Sequence, residues 1–209
     1  MRKFLGFGCI AMGFLCLLIA VGFVFYNKYE ETQGGKTSEV LLQDLQVSMQ
    51  EVHQTEAAPE DIPEEDSDEI MAVQGSVEMG TAPVGNYDGI GILSIPVLNV
   101  ELPVLTNWSY EKLRKAPCHY YGSCYESDFV IAAHNYRSHF GRLSQLVAGD
   151  LVLFTDVEGT VHCYEVVLIE TLPPTATEEM LTSGFDLSLY TCTPGGANRV
   201  TVRCSRVKS

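Results

Sequence analysis

An uncharged apolar run from Phe4 to Tyr26 opens the chain and decides on which side of a membrane the rest can fold. About 20 apolar residues are enough for a helix to cross the hydrocarbon core, so the run predicts a transmembrane helix. Arg2 and Lys3 precede it, and the positive-inside rule then keeps the N-terminus in the cytoplasm. A cleaved signal peptide is the alternative, but its apolar region is usually about 7–15 residues long. We therefore expect a signal anchor that crosses the cell membrane once, with the folded part of the chain outside.

The sequence divides into three parts. Residues 1–27 form the cytoplasmic tip and the anchor, residues 28–80 form an extracellular spacer, and residues 81–209 form the folded domain. Within the spacer, residues 38–53 carry apolar side chains at helical spacing and predict a short amphipathic helix, which either packs on the domain or stands free. Residues 56–69 hold eight acids and two prolines, which predict a solvated, self-repelling linker.

Acidic charge is concentrated outside the folded domain. The formal net charge is −14, and residues 1–81 hold 14 Asp/Glu against 4 Lys/Arg. A basic stripe that could follow a phosphate backbone is missing from the sequence, so nucleic acid is not an expected partner.

From residue 81 onward, short apolar runs alternate with turn residues, as is typical of β proteins. Strands are predicted at residues 90–95, 102–105, 129–133, 151–154, 161–169, 187–190 and 200–204. Short helices are predicted near residues 109–115, 140–146 and 177–182, with a hairpin turn at 156–159. Seven or eight strands in a domain of this size predict a mostly β fold, either a closed barrel or a sandwich, and periodicity alone does not choose between them.

Three residues that can carry acyl-transfer chemistry lie at predicted strand ends. Cys192 precedes a Pro-Gly-Gly turn, and Arg199 opens the next strand, so a hairpin would set the two side by side. His134 directly follows the strand at 129–133. A thiolate can attack a carbonyl, an imidazole can move the proton, and a guanidinium can bind the oxyanion. Each residue also has an ordinary structural explanation: a buried thiol, a capping histidine and a surface charge.

Five of the seven cysteines follow the anchor, and an odd number leaves at least one thiol unpaired. Cys118 and Cys124 are spaced for a local disulfide, and with His119 they also suggest zinc, although two cysteines and one histidine are an incomplete tetrahedral set. The sequence leaves both alternatives open. No cofactor and no metal site is predicted.

The run Leu189-Tyr190-Thr191-Cys192, followed by Arg199, resembles the signature of the sortases. The run Ile131-Ala-Ala-His134-Asn135 is similar to the His-bearing strand end of that family, and the order His, Cys, Arg also matches. The resemblance covers residues 86–207. It implies a sortase-like closed β-barrel of about eight strands with short helices, in which Cys192 forms a thioester with an LPXTG-like sorting signal. It also implies that His134 is the general acid and base and that Arg199 stabilises the oxyanion. The substrate would lie beside the strand that ends at Thr191.

The resemblance further implies the partners and the kind of sortase. The substrates would be surface proteins or pilins with an LPXTG-like sorting signal, and the acceptor would be an amine of a cell-wall peptide or a pilin. The sequence is similar both to class B enzymes and to short sortases of Gram-positive anaerobes such as the clostridial type.

Three rival hypotheses are weaker or less specific. An L,D-transpeptidase carries its histidine just before its cysteine, whereas His134 lies far upstream of Cys192. A papain-like protease has its cysteine before its histidine. The alternative from another class is a membrane-anchored extracellular β-domain that binds a partner without catalysis.

Overall fold

The computed structural model describes residues 2–56 and 79–207, and for residues 2–11 and 52–56 the backbone alone. Most of the acidic linker predicted at residues 56–69 lies outside the described residues.

The first described segment is one uninterrupted helix, α1, which spans Arg2–Glu56 and contains 55 residues. At about 1.5 Å per residue it is roughly 80 Å long. The predicted membrane span and the predicted amphipathic helix are therefore two parts of the same rod. By length and composition the apolar part of α1 could cross a membrane, and none of it is buried against the rest of the protein.

Nine strands follow, and seven of them are the strands that the apolar runs predict. Their bounds are β1 Ala82–Val84, β2 Tyr87–Ile95, β3 Val100–Leu105, β4 Cys118–Tyr121, β5 Phe129–Ala132, β6 Leu151–Asp156, β7 Val161–Leu172, β8 Leu187–Cys192 and β9 Arg199–Arg206. The short strands β1 and β4 were not predicted.

Two short helices, α2 (Tyr110–Leu113) and α3 (Thr177–Leu181), lie where helices were predicted. The helix predicted at residues 140–146 is wrong, because only a 3-10 turn at Leu143–Gln145 forms there. The apolar side chains Phe140, Leu143 and Leu146 fill the core from a series of turns, and this imitates helical spacing in the sequence.

The sheet closes on itself. Its strand order is β1-β2-β3-β4-β5-β8-β9-β7-β6, and β2 also pairs with β6. The closed barrel thus consists of β2 to β9, while β1 extends the hairpin at the start of β2. The pairs β3–β4 and β5–β8 are parallel and the others are antiparallel. This confirms the prediction of a mostly β closed barrel of about eight strands with short helices.

Two apolar cores hold the structure together. The first fills the barrel with large side chains such as Phe129, Phe154 and Tyr164, each fully buried. The second lies outside the barrel wall, where Leu41 and Leu45 of α1 pack with its Met49 against a group of wall residues. Those wall residues include Val84, Ile92, Leu105 and Cys118. Burying one such side chain stabilises a fold by about 1.5–3 kcal/mol, so this half of α1 is part of the folded unit.

Candidate active site

The last hairpin of the barrel sets Cys192 opposite Arg199. The two residues are register partners on β8 and β9. A Pro-Gly-Gly turn joins the strands, and Gly195 and Gly196 adopt φ angles of 83° and 77°, a region that glycine enters without steric cost. Directly opposed residues of antiparallel strands share a face, with Cβ atoms about 4.5–5.5 Å apart. The thiol and the guanidinium therefore point to the same side of the sheet.

The neighbouring strand brings His134 to the same barrel end. Strand β5 runs parallel to β8, with Ala132 paired to Tyr190. Beyond that pair, the backbone N–H of Ala133 donates to the Tyr190 carbonyl oxygen over 3.2 Å. The hydroxyl of Thr191 donates to the carbonyl oxygen of Ala133 over 2.8 Å. These two bonds join the strand ends, so that His134 leaves β5 next to Cys192.

One cavity of about 220 Å³ is lined by all four residues that the sequence singles out, His134, Thr191, Cys192 and Arg199. Thr191 is only 3% exposed, and its hydroxyl is engaged by Ala133. In the structure its side chain locks two strands together, and its role in substrate binding stays a prediction.

The rest of the cavity wall was not predicted from the sequence. One side is aromatic and the other is a proline-rich turn with the start of α3. The aromatic side consists of Trp108, Tyr110, Tyr120 and Tyr190, and the opposite side includes Pro173, Pro174, Ala176 and Met180. Trp108 and Tyr110 are both exposed, at 41% and 75%. The sequence signal that could have pointed to this wall is the pair Trp108 and Tyr110, where a predicted strand connects to a predicted short helix, because function is concentrated in such connections.

The charges near the cavity tune His134. Its half-burial lowers the pKa of the imidazole, the nearby Arg114 lowers this pKa further, and Glu30 of α1 acts in the opposite direction. His134 is therefore mostly neutral at pH 7 and can accept a proton. Arg199 is held by its own turn, since its Nη1 donates to the carbonyl oxygens of Gly196 and Asn198, each over 3.2 Å.

A second group of similar residues lies at the opposite end of the barrel. Cys124, Asp156 and His162 are buried, with their potential ligand atoms all within 4.8 Å of one another. The group adjoins Arg206, which ends the same strand that Arg199 begins. Seven steps of about 3.3 Å put the two ends roughly 23 Å apart along β9.

The hydrogen bonds of this second group mark it as structural. The imidazole Nδ1 of His162 accepts from Nη1 of Arg206 over 3.1 Å. The neutral ring then carries its proton on Nε2, which lies 2.9 Å from an oxygen of Asp156 and donates to it. Neither nitrogen retains a lone pair for a metal. Burial raises the pKa of Cys124 to about 12, and the charge of Asp156 adds to the shift, so its thiol is not an activated nucleophile either.

The sequence left open whether Cys118 and Cys124 form a disulfide or, with His119, bind zinc. The thiols of Cys118 and Cys124 are both free, as are those of Cys16, Cys163, Cys192 and Cys204. His119 uses its Nε2 in a hydrogen bond with the carbonyl oxygen of Gly122 at 2.8 Å. The described residues thus contain neither a disulfide between Cys118 and Cys124 nor a zinc-like grouping around His119.

Comparison with known proteins adds three kinds of finding. The sortase domain model matches residues 93–207, just over half of the chain. Sortase A from Corynebacterium diphtheriae is 25% identical with a TM-score of 0.54, over 59% of this chain and 63% of that one. Sortase C1 from Streptococcus suis is 32% identical with a TM-score of 0.52, over 58% of this chain and 74% of that one.

A Clostridium perfringens sortase D5 transpeptidase is similar in fold, with a TM-score of 0.51 at 22% identity, over 57% of this chain and 79% of that one. The chain spans just under two thirds of the length of the Corynebacterium structure. No curated protein sequence matches it.

Proposed function

The chain belongs to the sortase family, and from that premise we propose that it is a membrane-anchored cysteine transpeptidase with Cys192 as its nucleophile. Its substrates are surface proteins or pilins with an LPXTG-like sorting signal. The acceptor is an amine of a cell-wall peptide or of a pilin.

The observation that carries this proposal is the convergence of His134, Cys192 and Arg199 on one cavity from three different strands. In the second such group, Cys124 and His162 are buried and both ring nitrogens of His162 are hydrogen-bonded. A reactive group must meet its substrate, and the group at the Cys192 end lines an open cavity in which it can do so.

The residues support a two-step acyl transfer. In the first step the sulfur of Cys192 attacks the carbonyl carbon that follows threonine in the sorting signal, and His134 takes up the thiol proton. The guanidinium of Arg199 donates hydrogen bonds to the oxyanion. His134 then protonates the amine of the leaving fragment as the C–N bond breaks, and the thioester remains on Cys192.

In the second step the sulfur of Cys192 is the leaving group, and an amine is the nucleophile. The acceptor amine attacks the thioester carbonyl, His134 removes the proton from that nitrogen, and the C–S bond breaks. The proton returns to the sulfur of Cys192, so the free enzyme is regenerated. The net change is the exchange of one amide bond for another, which requires no metal or redox cofactor.

The apolar part of α1 supports a single-pass anchor, with the barrel on the extracellular face of the cell membrane. Shared acyl-transfer chemistry does not distinguish wall anchoring from pilus assembly, so the acceptor amine has to be identified by experiment.

A hydroxylamine assay tests the proposal. The full chain in detergent micelles is incubated with LPXTG-type peptides and hydroxylamine, and mass spectrometry follows hydroxamate products and a thioester adduct. We expect the adduct on Cys192 and its loss in Cys192→Ala.

Cys163→Ala is the matched control, because this thiol is free and partly exposed on β7. It should retain both signals. Intact peptides across the library, together with a Cys192 that does not react with iodoacetamide, would instead favour the non-catalytic binding domain.

A further inference from the structure

Two adjacent glycines, Gly34 and Gly35, lie in the middle of the continuous helix α1, although glycine in a helix costs about 1 kcal/mol relative to alanine. The cost is explained by what lies against them. A Cβ at Gly34 would lie 2.8 Å from Cε2 of Tyr136 and 2.9 Å from the carbonyl oxygen of Arg114. A Cβ at Gly35 would lie 3.0 Å from Oγ of Ser138. The helix therefore needs both glycines in order to approach the loop that follows His134.

Tyr136 connects this contact to the active site. Its ring stacks on the imidazole of His134, with 4.9 Å between the centroids and 25° between the planes. On another side the ring meets His139, whose imidazole is nearly fully buried, at a centroid distance of 5.3 Å. Tyr136 is thus in contact with α1, with the core and with His134.

The loop itself is tied to α1 and folded back on its own backbone. The backbone N–H of Arg137 donates to a carboxylate oxygen of Glu31 over 2.8 Å, a bond that also lowers the pKa of Glu31. Within the loop, the carbonyl oxygen of Tyr136 accepts from the N–H groups of both His139 and Gly141, each over 2.9 Å. These bonds fix the backbone of Tyr136, so its ring has little freedom to move away from His134.

We propose that Tyr136 is a positioning residue for His134 and that α1 holds it in place through Gly34 and Glu31. The proposal rests on the acid–base role given to His134 above. The stacked ring restricts the imidazole to the orientation in which it reaches Cys192 and the leaving amine. Because α1 supplies one side of this arrangement, removing the helix removes part of the active-site scaffold even though α1 contributes no residue to the catalytic cavity.

Pairs of variants in the full chain, in detergent micelles, test the proposal. Gly34→Ala introduces the clash, while Gly22→Ala is its matched control in the same helix, because a Cβ at Gly22 would meet nothing within 4 Å. Both changes replace a helical glycine of α1 by alanine, but only Gly34→Ala meets a neighbouring segment, so the difference between them reports the contact of α1 with Tyr136 and the backbone of Arg114. Tyr136→Leu removes the stacked ring, whereas Tyr136→Phe keeps the ring and removes only the hydroxyl.

We expect Gly34→Ala and Tyr136→Leu to lower kcat by about 10- to 100-fold, since small misplacements of a catalytic group have effects of this size. KM for the peptide should change less than about 2-fold, and Gly22→Ala and Tyr136→Phe should stay near the wild type. In NMR spectra the ring protons of His134 should lose the shielding of the stacked ring in Tyr136→Leu and keep it in Tyr136→Phe.

An unchanged kcat in both Gly34→Ala and Tyr136→Leu would overturn the positioning role, and so would a rise in KM alone. If Tyr136→Leu does not fold, the kcat of Gly34→Ala compared with that of Gly22→Ala still decides the question. A wild-type chain that forms no thioester with any peptide would instead overturn the transpeptidase function itself, so the two failures are distinguishable.

Discussion

The two ends of the barrel carry the same kinds of side chain in opposite circumstances. At one end Cys192, His134 and Arg199 line an open cavity. At the other end Cys124 and His162 are buried, and Arg206 binds the ring of His162 and the carbonyl oxygen of Cys124. Residue type alone would identify either group as a possible active site. Burial and hydrogen bonding separate them, because a buried thiol and an imidazole with both nitrogens hydrogen-bonded inside the protein are not available to a substrate.

Replacing the cysteine at each end of the barrel by alanine should give the largest difference in activity between the two ends. We expect Cys192→Ala to reduce acyl transfer by at least about 10³-fold, because the covalent step loses its attacking atom. Cys124→Ala should keep activity within about 3-fold and lower the stability by about 1 kcal/mol through the small cavity it leaves. Steady-state transfer to hydroxylamine and thermal unfolding measure the two effects. A comparable loss of activity in both variants would remove the distinction between the ends.

The two arginines of β9 should separate activity from stability. Arg199→Met is expected to lower kcat by about 10²- to 10³-fold, the usual effect of removing an oxyanion donor, with little change in thermal unfolding. Arg206→Met should do the reverse. It leaves Nδ1 of His162 without its donor and removes one of the two donors to the carbonyl oxygen of Cys124, at a cost of about 2–3 kcal/mol. A loss of activity in Arg206→Met, together with full activity in Arg199→Met, would contradict the assignment of Arg199 as the oxyanion donor.

Thiol reactivity should rank the cysteines by environment. Burial raises the pKa of Cys118, Cys124 and Cys204 to about 12, so at pH 8 these thiols are almost entirely protonated. We expect iodoacetamide to label Cys192 at least about 100-fold faster than these three in the native chain, as mapped by mass spectrometry. In urea the four rates should converge. Rapid labelling of Cys124 before unfolding would show that its end of the barrel opens.

The smallest effect concerns the charges around His134. Its neutral imidazole is the base, so kcat/KM should rise as the pH rises through its pKa. Arg114→Met removes a cation that lowers this pKa, and the rising limb should move to higher pH. Glu30→Gln removes an anion that raises it, and the limb should move to lower pH. Shifts in the opposite sense, or no shift in either pH profile, would show that another group controls the limb.

The sequence predicts best what is local. The Pro-Gly-Gly turn determines the pairing of Cys192 with Arg199, because a hairpin needs only a few neighbouring residues. The parallel pairing of β5 with β8 joins residues 58 positions apart, and no short-range pattern specifies it. The placement of His134 beside Cys192 therefore came from the family resemblance and not from periodicity.

Other features were out of reach because they depend on contacts between distant segments. Strand β4 reads Cys-His-Tyr-Tyr and only Cys118 is buried, so it lacks the apolar run that identified the equally short β5. The apolar spacing of residues 38–53 predicted a helix but not its partner, since the partner is the barrel wall. The contact of Gly34 with Tyr136 joins two segments that are far apart in the chain, so no local pattern in the sequence indicates it.

The unbroken course of α1 has a kinetic consequence. With residues 4–26 in the bilayer, Gly34 lies eight residues, or about 12 Å, beyond Tyr26 along a stiff rod. A flexible tether would let the catalytic cavity sweep a hemisphere, whereas this rod confines it to a thin layer above the lipid. Under the proposed anchoring and function, encounters with membrane-bound substrates occur in two dimensions, and we expect turnover to scale with the number of sorting signals per unit area of membrane.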